Sequence, residues 1–244
     1  MLNIEEMVFI TIDVDWASEE VLHYTVELLK SEGVPATIMV THESPILNII
    51  KTDPLFDLGI HPNFNKILDG NNNKAVDYKT IINELRVLLP EAKCVRSHSL
   101  VCGTKILNAF EEYGFTHDVN VYVPAYNRIK LIPFYCNKII RVPFFWEDDL
   151  FCKEVNENYN NTWDSDFFLD CSGIKVFNFH PIHIFLNSED MGKYEESRAY
   201  HYDYDKLKEY CNNGNTGTKR FLLDMISKVK SRGMKFGLIK EVCT

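Results

Sequence analysis

Met7–Trp16, MVFITIDVDW, joins an apolar run to an acidic turn. Residues 7–12 are almost continuously apolar and rich in β-branched side chains, the pattern of a strand covered on both faces. The run stops at Asp13, Val14 and Asp15. Ser18 then stands where a helix N-cap belongs, ahead of Val21, Thr25, Leu28 and Leu29 at helical spacing up to Gly33. Strand, acidic turn and helix form one unit of a parallel α/β protein.

The unit recurs. Residues 36–40 (ATIMV) read as a strand, 44–51 as a short helix, and 56–60 (FDLGI) as a strand entering His61. A helix over 77–89, a short strand at 94–96, a helix over 103–113 and a strand at 115–119 follow. Residues 138–142 (KIIRV) and 175–179 (KVFNF) read as strands, 220–230 has helical spacing ending at Gly233, and 235–239 (KFGLI) reads as a last strand. This alternation implies a mostly parallel sheet with right-handed crossovers. Seven to eight strands in a single domain, residues 1–244, predict an α/β fold of the irregular (β/α) barrel type. The polar segments 154–166 and 187–218 are long enough to be lids or binding loops.

Composition narrows the function classes. A hydrophobic fraction of 45% and a charged fraction of 25% are those of a globular protein with a packed core. The net charge of -9 repels phosphate backbones and anionic lipid, so nucleic acid is not an expected partner. No apolar run is long enough to span a bilayer, and the first residues do not resemble a signal peptide. The seven cysteines are widely spaced with no CxxC pair, as expected of free thiols in a reducing cytoplasm. There is no solenoid repeat, and neither GxGxxG nor GxxxxGK[ST] occurs, so those nucleotide cradles are not expected.

Polar, metal-capable or titratable residues follow the ends of several strands: Asp13 and Asp15, His61, Arg96 and His98, Asp118, and His180. In parallel α/β folds the carboxyl ends of strands converge on the functional site. Asp13 and Asp15, one residue apart, would lie on one side of an extended chain, one binding a metal and the other accepting a proton; a plain acidic turn ahead of a helix is the alternative. His61 is a natural ligand for zinc, iron or cobalt, with Asn65 four residues on. His42 and His117 lack such company and are read as structural.

These residues resemble the motifs of the polysaccharide deacetylase superfamily, the NodB-homology or carbohydrate esterase family 4 fold. TIDVDW resembles the first motif, GIHPNFN the second, VRSHS the third and GFTHDVN the fourth. RVPFFWEDD resembles a Pro and Trp-Glu-Asp-Asp stretch of several branches, and FNFHPIHIFLN carries the final His-Pro. The six occur in the family's order between Ile10 and Asn187, and HPIHIFLN is similar to the WbmS branch, associated with O-antigen gene clusters.

The resemblance implies a metal-dependent hydrolase that removes an N-acyl group, acetyl or formyl, from a sugar; the expected lack of an export signal adds a cytoplasmic location and hence an amino sugar or sugar nucleotide of surface polysaccharide biosynthesis as substrate. It implies Asp13 as general base, Arg96 as its partner and His180 as general acid. It places one divalent ion, zinc first and cobalt, iron or nickel after it, on Asp15 and His61. The family's second histidine is replaced by Asn65, a weaker neutral ligand, so either Asn65 serves or His98 or Glu43 completes the shell. His98, Asp118, Trp146, Asp148 and His183 are read as substrate-binding, Trp146 by stacking on sugar. Two other readings stay open: a non-catalytic carbohydrate-binding protein, and a glycosidase using Glu147 and Asp149.

Overall fold

The computed structural model describes residues 3–68, 77–154 and 163–243. The polar segment expected at 154–166 therefore falls largely outside the described residues. Ten strands are described: β1 (Met7–Asp13), β2 (Ala36–Val40), β3 (Phe56–Ile60), β4 (Cys94–Val95), β5 (His117–Tyr122), β6 (Phe134–Cys136), β7 (Ile139–Phe144), β8 (Trp146–Glu147), β9 (Lys175–Phe179) and β10 (Lys235–Gly237).

The sheet runs β6-β7-β5-β4-β3-β2-β1-β9-β8, with β10 beside the start of β1. Every pairing is parallel except β6 with β7. Only Phe145 separates β7 from β8. The stretch 139–147 thus pairs at its start with β5 and at its end with β9, and this closes the sheet into an irregular barrel. The barrel expectation holds; β6 and β8, too short to show a period, are additions to it.

All seven residues of β1 are buried, which is why its sequence is apolar without alternation. Ser18 accepts from the Val21 amide at 3.4 Å to start the helix Glu19–Glu32, and Gly33 ends it at φ +64°, a left-handed position that glycine occupies without strain. Asp77 likewise caps Tyr78–Leu88 through the Thr80 amide at 2.8 Å. After β9 the chain enters a helix, Pro181–Leu186, with proline at its first turn, where its missing N–H costs nothing. That helix carried no apolar period in the sequence because it is buried nearly all round. The Asn187–Thr218 segment, expected as a loop, contains the short helices Gly192–Ser197 and Tyr204–Leu207.

Candidate active site

β1 delivers Asp13 as its last residue, and the turn beyond it reorients Asp15. Asp15 has φ +46°, a left-handed conformation that aspartate tolerates better than most residues. Its carbonyl accepts from the Thr41 hydroxyl, which ties the turn to the end of β2. His61 follows β3, held by its amide on the Val40 carbonyl at 2.8 Å. His98 sits in the turn after β4, where Ser99 and Leu100 also have positive φ.

Two imidazoles converge on one oxygen. His61 Nε2 lies 3.1 Å and His98 Nδ1 3.0 Å from Asp15 Oδ1. The ligand atoms of Asp15, His61 and His98 all lie within 4.8 Å of one another. Two nitrogens and a carboxylate oxygen at this spacing suit a borderline divalent ion such as zinc. Burial pushes the Asp15 carboxyl up, but the hydrogen bonds of His61 and His98 outweigh it and hold it well below the usual range. It is therefore ionised, as a ligand must be.

Behind this trio lies a buried polar network. Arg96, fully buried, reaches Asp13 Oδ1 with Nη1 at 3.0 Å and the Val119 carbonyl with Nε at 2.9 Å, and its guanidinium lies 4.4 Å from the Phe144 ring centre. Asn178 donates to Asp13 Oδ2 at 2.9 Å while its oxygen accepts from Arg96 and from Thr11 at 2.8 Å. Burial pushes the Asp13 carboxyl up; the charges of Arg96, His61 and His180 more than offset this, so it lies below its usual range.

His180 completes the opposite wall. Its Nδ1 is 2.6 Å from Asp148 Oδ1, its backbone amide donates to Asp148 Oδ2 at 2.8 Å, and Nε2 lies 3.7 Å from Asp15 Oδ2. Burial lowers the imidazole, but Asp148, then Asp15 and Asp149, raise it well above the ordinary histidine value. A protonated His180 therefore faces the ionised Asp15. Glu147 and Asp149 flank it, with ligand atoms within 4.8 Å of each other and of His180. Burial and the neighbouring Asp149 charge push Glu147 well up, while His180 and Glu147 hold Asp149 down against its own burial.

Most of these groups line one pocket of about 60 Å³, which shares the lining residue Leu100 with a wider cleft of about 590 Å³. The pocket gathers Asp13 and Asp15 from the end of β1 with His61, His98 and His180 from beyond β3, β4 and β9. Asn65 is not among its lining residues; its amide Nδ2 lies 3.5 Å from Ser99 Oγ instead. Glu43 lies apart as well, lining a different cavity.

The residues read as substrate contacts divide differently in space. Trp146 is 1% exposed and stacks on Phe221 at 4.6 Å, so it belongs to the core and cannot meet a sugar. Asp118 is buried and paired to Arg141 Nε at 2.6 Å and to Asn120; an ion pair of the barrel wall satisfies it. Asp148 is fully buried behind His180 and holds that ring rather than a ligand. His183 is buried too, its Nδ1 3.0 Å from Ser188 Oγ. His98 alone of the five faces the pocket.

Asn178 was not picked out by the sequence reading, while Glu147 and Asp149 entered it only in the Trp-Glu-Asp-Asp stretch and as the carboxylates of the glycosidase alternative. Asn178 had a signal: it interrupts the apolar strand KVFNF two residues before His180, and alternation puts i and i+2 on one side of a strand.

The chain matches the family model described as WbmS-like polysaccharide deacetylase over residues 10–198. Among solved structures it is similar to a Bordetella bronchiseptica protein described as a polysaccharide deacetylase involved in O-antigen biosynthesis. The two share 38% identity with a TM-score of 0.83 over 91% of this chain and 90% of that one. A 4-alpha-glucanotransferase from Thermococcus litoralis shares the fold alone, at 11% identity and a TM-score of 0.51, over 97% of this chain and 37% of that one. Among curated proteins none matches. With the family model matched over residues 10–198 and 38% identity to that Bordetella protein, this chain belongs to the WbmS-like polysaccharide deacetylase family.

Proposed function

We propose that this chain, acting as one catalytic unit over residues 1–244, hydrolyses an N-acetyl or N-formyl group from an amino sugar or sugar nucleotide in O-antigen synthesis. The observation that carries this reading is a single pocket in which a metal-ligand trio, Asp15, His61 and His98, faces the His180–Asp148 pair beside Asp13–Arg96. An amide resists hydrolysis because its nitrogen leaves poorly, so a base, an acid and charge stabilisation are all needed.

Asp15, His61 and His98 would hold one divalent ion, zinc foremost. When bound, such an ion supplies Lewis-acid polarisation of the acyl carbonyl and lowers the pKa of water. Asp13, kept ionised by Arg96 and Asn178, takes the proton of the attacking water. His180 delivers a proton from Nε2 to the departing nitrogen, since Nδ1 is committed to Asp148. The small pocket admits the acyl group, and the cleft beyond Leu100 takes the body of the sugar.

A glycosidase would need carboxyl groups on either side of the scissile bond. Glu147 and Asp149 instead stand together on one wall beside His180. No helix among the described residues is long and apolar enough to cross a membrane, and activity on sugar nucleotides would place the protein in the cytoplasm. The test is release of acetate or formate from N-acylated sugar nucleotides. Release that stops on chelation and returns with zinc supports the reading; release insensitive to chelation, or none from any acylated sugar, sinks it.

A further inference from the structure

We propose that Glu147 and Asp149 form an ammonium subsite that receives the amine as it leaves the acyl group. The inference rests on the deacylase reading of the pocket and adds to it a place for the second product.

Glu147 is 8% exposed, and its Oε2 and Asp149 Oδ1 meet no group among the described residues other than each other's carboxyl. Ser97 Oγ, fully buried on the same pocket, is likewise without a partner. Buried polar atoms are nearly always paired, and leaving one unpaired costs about 1–3 kcal/mol. A buried carboxyl pair and a buried hydroxyl with no further partner, on residues that line one small pocket, point to a polar ligand that fills it.

Charge and size name the ligand. The Asp149 carboxylate keeps Oδ2 on Lys153 Nζ at 3.0 Å and turns Oδ1 inward. Both acidic groups have a carboxylate oxygen within 4.8 Å of a His180 ring nitrogen. The pocket, about 60 Å³, is far below the ~300–1,000 Å³ that encloses a whole small molecule. Sugar hydroxyls therefore stay outside, and what reaches these oxygens is the acylamino group and then its amine. Hydrolysis breaks the C–N bond, water supplies hydroxyl to the acyl carbon, and the nitrogen leaves with the His180 proton. An amine taking one more proton from solvent is a cation with hydrogens to donate to both oxygens.

Methylammonium tests this independently of the sugar, because it fits the pocket by itself. Thermal unfolding of the metal-loaded protein is followed in methylammonium chloride against sodium chloride at equal ionic strength. Crystals soaked in methylammonium report the position. The expected result is a higher Tm in methylammonium, with nitrogen between Glu147 and Asp149, and about tenfold weaker binding in Glu147→Gln and in Asp149→Asn. Equal effects of the two salts, or isosteric variants that bind like wild type, overturn the proposal. Hydrolysis with no amine response removes the subsite and leaves the deacylase reading; an amine response without hydrolysis removes that reading and leaves the subsite as a cation site.

Discussion

Asp148 grips His180 twice, accepting from its backbone amide at 2.8 Å and contacting Nδ1 at 2.6 Å. The carboxylate both fixes the ring, with Nε2 toward the pocket, and favours the protonated imidazole.

Asp148→Asn should therefore move the basic limb of the pH–rate profile to lower pH. The acid form of His180 is present below its raised pKa and is lost as pH rises through it. Removing the Asp148 charge lowers that pKa, so activity falls off earlier. The profile is measured with metal content as control. A limb that stays in place would mean that His180 is not the proton donor.

One divalent ion per chain is expected on elemental analysis after zinc supplementation. Because His98 Nδ1 is 3.0 Å from Asp15 Oδ1 while Asn65 lies against Ser99, His98→Ala should weaken binding by at least the ~10–100-fold typical of losing even an outer-shell partner. Asn65→Ala should change it little. Competition against a chelator measures both, and the reverse order would return the third ligand to Asn65.

Asp13→Asn keeps shape and removes the base, so hydrolysis should vanish with metal retained. Arg96→Met is a different loss. It leaves Asp13, 2% exposed, without its cation, and breaking a buried pair costs about 3–5 kcal/mol. Denaturant unfolding should show a loss of that order for Arg96→Met and also for Asp13→Asn, which leaves the fully buried Arg96 guanidinium without its carboxylate.

Trp146→Ala should destabilise by about 3–5 kcal/mol, because it opens a cavity among Phe151, Phe179 and Phe221. Trp146→Phe should retain KM, since the ring meets no substrate. A raised KM with unchanged stability would restore the sugar-stacking reading.

The sequence by itself carried the barrel and several of the polar residues that meet in its pocket. Buried strands must be apolar along their whole length, so β1, β2, β3 and β9 are visible as runs, and the polar residue that ends each run stands out against it: Asp13, His61, His180. Helix ends were equally legible at Ser18, Gly33 and Asp77, because capping is a local interaction between residues a few positions apart. What tertiary structure decided is which polar side chains share a space. His98 rather than Asn65 joins Asp15, because its amide on the Pro62 carbonyl at 2.9 Å holds the turn after β4 beside the residues that follow β3. Trp146 went to the core and Glu147 to the pocket because adjacent residues of a strand point to opposite faces, and β8 is too short for its register to be read. Spacing along a chain reports neighbours within one turn or strand, whereas this site is assembled across 165 residues, from Asp13 to Asn178, and only the closing of the sheet brings those ends together.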